Sequence, residues 1–151
     1  MIFLLALHVA AAVVWVGGMF FAYAVLRPAA GPLDAPARLG LWRRVFGRFF
    51  PCVLVSIAAL LVSGYGMVFG YMGGFKGAGV HVHVMQTTGI VMMLAFFHLY
   101  FAPWRRFRVA VEKGDLAAAG ANLNQIRMIV AINLVLGTIT VLVGSTGRYW
   151  G

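Results

Sequence analysis

Four long stretches of nearly uninterrupted apolar residues alternate along this chain with short segments that hold almost all of its charge. The stretches lie at approximately 2–26, 49–71, 80–102 and 126–145. Each is long enough to cross a bilayer as a helix, which takes about 20 residues. Pro28, Pro32 and Pro36 punctuate the first connection, and Gly73, Gly74, Gly77 and Gly79 the second. The third runs from Pro103 to Asn124 and contains a mixed segment around 109–121 that reads as a short interfacial helix. Connections this short predict an all-α, up-down-up-down four-helix bundle, one transmembrane domain over 1–151. The first stretch runs to Arg27-Pro28 with no basic start and no cleavage site, so it reads as a retained helix rather than a signal peptide.

Composition agrees with the pattern. Hydrophobic residues make up 63% of the chain and charged residues 10%, where a soluble domain would carry about a quarter charged residues. The mean hydropathy is +0.95. The formal charge of +9 sits between the apolar stretches rather than along a groove, so it speaks for membrane topology and against nucleic acid as a partner. Arg27, Arg38, Arg43, Arg44, Arg48, Arg105, Arg106, Arg108, Lys113 and Arg127 flank the first and third connections. Only Lys76 and Arg148 lie on the other side. The positive-inside rule then places both termini outward, in the periplasm of a bacterium, with the protein in the inner membrane and the lipid bilayer as its first partner. A single cysteine, Cys52, excludes an internal disulfide and a cysteine-based cluster. No stretch contains an acidic residue, which argues against a proton or cation path built on Asp or Glu.

Histidine is the chemistry the sequence does offer. His8 has apolar residues on both sides in the first stretch, and an ionisable group inside a membrane span marks a functional site. His81 and His83 open the third stretch, and His98 lies fifteen residues beyond His83, about 22 Å along a helix. His98 therefore cannot share one metal ion with His83. If the helix begins by Val80, residues advance about 100° each, and His81 and His83 point to opposite sides. His81 then heads a stripe with Met85, Thr88 and Met92, and His83 one with Thr87, Ile90 and Leu94. If the segment is still extended there, the two imidazoles can hold one ion. With the first and third helices parallel, His8 and His83 are expected at similar depth. The second stretch carries Ser63, Gly66, Gly70, Gly73 and Gly74 on one face, and the fourth carries Asn133, Gly137, Thr140 and Gly144. Such small-residue faces suit either close helix packing or a flat macrocycle held by two axial imidazoles.

The segment ALHVAAAVVWVGGMFFAYAVLRPA resembles the first helix of the copper-resistance protein D family and of the related HemJ protoporphyrinogen oxidase family, at His8, Trp15, Gly17, Gly18 and Arg27. VHVHVMQTTGIVMMLAFFHLY resembles the third HemJ helix, at His83 and His98, and NQIRMIVAINLVLG is similar to the start of the last helix, at Asn124 and Arg127. HemJ proteins carry a lysine soon after the third-helix histidine, where this chain has Met85 or Gln86. The resemblance implies b-type haem in one branch and copper handling in the other.

The leading expectation is a haem b protein with a redox or electron-transfer role. His8 and His83 would ligate the iron, with His98 as the other candidate. Gly66 and Gly70 would lie against the ring, and Lys76 and Arg148 would meet the propionates. Quinol or a redox partner protein would exchange electrons with it. The alternative is a copper-binding or copper-transport protein with His81, His83 and Met85 at the outer mouth, joined by Met67 or Met72, because imidazole and thioether suit Cu(I). A third is a cofactor-free assembly subunit. Enzymatic activity and homo-oligomerisation are left open.

Overall fold

In the computed structural model, which describes residues 1–150 apart from the side chain of Arg148, every long element is a helix. We label them α1 (Ile2–Ala29), α2 (Ala35–Tyr71), α3 (Val80–Phe101), α4 (Pro103–Glu112) and α5 (Leu116–Thr146). The helix α1 is wound more loosely at Val13–Gly17 and Phe21–Leu26, where it is π-helical. Four helices are long and apolar enough to cross a membrane: α1, α2, α3 with α4 as its continuation, and α5.

The first span agrees closely with the hydropathy pattern, but α2 begins fourteen residues earlier than the 49–71 stretch. The reason is amphipathicity. Leu39, Trp42, Phe46, Phe50, Val53 and Ile57 recur at three- and four-residue intervals and are buried, while Arg43, Arg44 and Arg48 on the other side are exposed. Uniform hydropathy hides such a helix because its mean is diluted by the arginines. The interfacial helix expected around 109–121 is not one element. Gly114 adopts φ +71°, which glycine takes without steric cost, and the Asp115 carboxylate accepts from Ala118 N at 2.9 Å, capping α5. The chain therefore turns within that segment, and Pro103 starts α4 at the preceding bend.

Two antiparallel seams, α1 on α2 and α3 on α5, carry much of the packing. On the α1–α2 seam, Leu4 lies beside Gly66, His8 beside Gly64, and Gly18 beside Phe49. On the α3–α5 seam, His81 lies beside Gly147, Met85 beside Gly144, Thr88 bonds Thr140 at 2.7 Å, and Met92 lies beside Gly137. Val16 of α1 also packs on Gly137, which joins the two pairs. The arginine-rich half is filled by aromatic rings: Phe50 meets Phe46 at 4.9 Å, Trp104 at 5.2 Å and Phe96 at 5.6 Å between centroids. Ring contacts of this kind contribute beyond their burial.

Gly137 sits where three helices meet. A methyl group there would lie 2.9 Å from Val16 Cγ2 and 3.1 Å from Met92 Cε, whereas one on Gly89 would meet nothing within 4 Å. Gly137→Val should therefore destabilise the bundle by about 1–3 kcal/mol, the scale of core overpacking. Gly89→Ala should be neutral or slightly stabilising. Thermal melting of both variants in detergent checks this.

Candidate functional site

The helix α3 begins at Val80, with Gly79 extended before it. The two adjacent histidines therefore diverge, as a helical reading of HVH requires. His81 is half-buried against α5, whereas His83 is exposed, with its ring 5.9 Å from that of Phe75. The copper alternative loses its adjacent imidazole pair and keeps His81 with Met85, one helical turn apart on the face toward α5. A methyl group on Gly144 would lie 2.7 Å from Met85 Sδ, and Gly147 faces the Cβ and ring of His81. The imidazole of His81 folds back over Gly79, with Cε1 2.7 Å and Nδ1 2.9 Å from where a methyl group would stand. Glycine at 79, 144 and 147 thus makes the room that His81 and Met85 occupy.

His8 is on the other seam. Its Nδ1 lies 2.9 Å from Ser63 Oγ. The hydroxyl of Ser63 donates to the Ala59 carbonyl at 2.5 Å, so its oxygen is left to accept. That assigns the proton of a neutral His8 ring to Nδ1 and leaves Nε2 with a lone pair. A second-shell bond of this type is what orients a ligating histidine. Ser63 lies on the small-residue face read from the sequence, but its partnership with His8 was not foreseen there. Nor was the 2.5 Å bond from Gln86 Nε2 to Tyr65 Oη, which ties α3 to α2.

His8 and His83 do not meet. The Trp15 ring is 6.2 Å from Phe96, which sets the register of the parallel helices α1 and α3. His8 lies on the α1–α2 seam beside Ser63 and Gly64, and His83 stands beside Phe75. The glycine face read on the second stretch is covered only in part: Leu4 Cδ1 is 3.2 Å from a methyl position on Gly66, whereas positions on Gly70 and Gly73 meet nothing within 4 Å. His8 Cε1 lies 3.2 Å from a methyl position on Gly64. No contact among the described residues joins His8 to His83, so the arrangement lends a haem between them no support. His98 is exposed near the arginine-rich end, and Lys76 is exposed in the turn before α3. The side chain of Arg148 lies outside the described residues. Among the described residues no three His, Cys, Asp or Glu side chains gather as a metal-binding group.

The tautomer assignment is directly measurable. The ¹⁵N shifts of His8 should report protonation at Nδ1 and a bare Nε2. Ser63→Ala should abolish that preference and cost about 0.6 kcal/mol, the mean for a side-chain hydrogen bond between membrane helices.

No curated protein and no solved structure matches the chain. The family model for copper resistance protein D matches residues 43–146, which takes in most of α2 and all of α3, α4 and α5, and leaves out α1 with His8. With more than two thirds of its length matched and four helices fit to span a bilayer, this multi-pass membrane protein belongs to the copper resistance protein D family.

Proposed function

We propose that the protein handles copper at the membrane, and that His81 and Met85 bind Cu(I) at the arginine-poor end of the α3–α5 seam. One observation carries this reading: a half-buried imidazole and a half-buried thioether lie one turn apart on one helix face, in room made by Gly79, Gly144 and Gly147. Soft thioether and imidazole donors favour Cu(I) over the hard cations that carboxylates select. Family membership supplies the independent support. Met92 lies two turns deeper on the same stripe, buried beside Gly137, and extends the line of soft donors toward the middle of the membrane. The excess of arginine at the opposite end supports an outward-facing site, with copper entering from the periplasmic side.

Titration of the detergent-purified chain with Cu(I), against a chromophoric chelator of known affinity, tests the proposal. One copper per chain is expected. Met85→Leu and His81→Ala should each weaken binding about tenfold or more, a loss of roughly 1.4 kcal/mol or greater. His83→Ala and His8→Ala should leave it within about twofold, well under 1 kcal/mol. A Soret band at one haem per chain, lost in His8→Ala, would overturn this reading in favour of a b-type haem protein with a redox role. So would copper binding indifferent to both His81 and Met85.

A further inference from the structure

Near the arginine-rich end, α1, α2 and α5 leave a shallow cleft, open to the outside and with a cavity of only about 10 Å³, that has Tyr23, Arg27, Trp42 and Arg127 on its walls. Arg27 lies over the Tyr23 ring at 5.0 Å, and Arg127 over the Trp42 ring at 5.6 Å. Arg27 and Arg127 face the same cleft, and Arg38 is not on its walls. Arg38 is already engaged, donating to the Leu33 carbonyl at 3.1 Å. Among the described residues the one ion pair, Arg43 with Glu112, lies elsewhere, and the Asp115 carboxylate is occupied as the cap of α5. The third carboxylate, Asp34, stands at the start of α2 and forms no ion pair among the described residues. Guanidinium groups without a paired carboxylate repel one another, and the repulsion grows where burial weakens solvent screening.

The same cleft holds two donors that lack an acceptor. Trp42 Nε1 and Arg127 Nε are both shut off from solvent and hydrogen-bonded to nothing among the described residues. Trp42 as a whole is 2% exposed. Buried donors almost always find a partner, and those left without one point to a missing group. Arg127 itself is held only by a long bond, 3.4 Å from Nη1 to Asn124 Oδ1. A small rotation of its guanidinium would turn Nε toward an anion at the mouth.

We infer that this cleft binds one phosphate group, carried by an anionic phospholipid headgroup or by free phosphate, on Arg27, Arg127 and Trp42 Nε1. Oxygen atoms of a phosphate accept from guanidinium and indole N–H groups at once, and its charge offsets the arginines. Basic pockets between membrane helices on the arginine-rich side are suited to lipid headgroups.

The test uses the full chain, purified in a nonionic detergent and stripped of lipid, titrated separately with short-chain phosphatidylglycerol and with inorganic phosphate by calorimetry. Saturable binding of about one equivalent of at least one probe is expected. Arg127→Gln should weaken it about tenfold, the scale of a charge-assisted hydrogen bond. Trp42→Phe keeps the ring and loses only the N–H, so it tests the site even where Arg127→Gln fails to fold, and it should weaken binding about threefold. Arg105→Gln, an exposed arginine outside the cleft, should leave binding within about twofold. Lipid binding without phosphate binding identifies the headgroup as the source; phosphate binding, with or without lipid, identifies the free anion as sufficient. Binding of neither probe, or an equal loss in Arg105→Gln, would overturn the inference.

Discussion

Helices in a bilayer gain little from hiding apolar side chains from one another, because lipid is as apolar as they are; close approach and shape must hold them together. The α3–α5 seam meets that constraint most fully. Along about three turns, His81, Met85, Thr88 and Met92 fit against Gly147, Gly144, Thr140 and Gly137. Asn133 continues the seam by donating to the Met92 carbonyl at 3.0 Å. Each large residue on one helix finds a small one on the other. The register of α3 follows, and with it the separation of His81 from His83. The second seam, α1 on α2, repeats the device with Leu4 and His8 against Gly66 and Gly64.

The two halves of the bundle divide structure from chemistry. Toward the arginine-rich end the interior is a stack of rings from Trp42 through Phe46, Phe50 and Trp104 to Phe96. This half anchors the helices. Toward the other end, beside a smaller ring cluster of Tyr65, Phe69 and Phe75, the α3–α5 seam is built of glycine, histidine and methionine. The orphaned donors at Trp42 and Arg127 lie at the far end of the molecule from that site, so the phosphate cleft and the copper site are separate features of one bundle.

Much of the fold could be read from the residues. Spans of apolar sequence give four crossing helices, and helical spacing alone assembles the His81, Met85, Thr88, Met92 stripe and its Asn133, Gly137, Thr140, Gly144 counterpart. What periodicity cannot say is which stripe meets which. The glycine face of α2 reads equally well as a porphyrin wall or a packing surface, and the structure places Leu4 on it at Gly66 while Gly70 stays open. The early start of α2 is missed for a different reason: Arg43, Arg44 and Arg48 lower the local hydropathy although Leu39, Trp42 and Phe46 keep a helical rhythm. Long-range polar pairs such as His8 with Ser63, fifty-five residues apart, leave no local signature at all.

The central claim is that the α3–α5 seam presents imidazole and thioether together to a copper ion. X-ray absorption at the copper edge of the Cu(I)-loaded protein tests it most directly. The account predicts one imidazole nitrogen and at least one sulfur in the metal's coordination shell, with the sulfur contribution lost in Met85→Leu. A shell of nitrogen and oxygen alone, unchanged by that substitution, would contradict it.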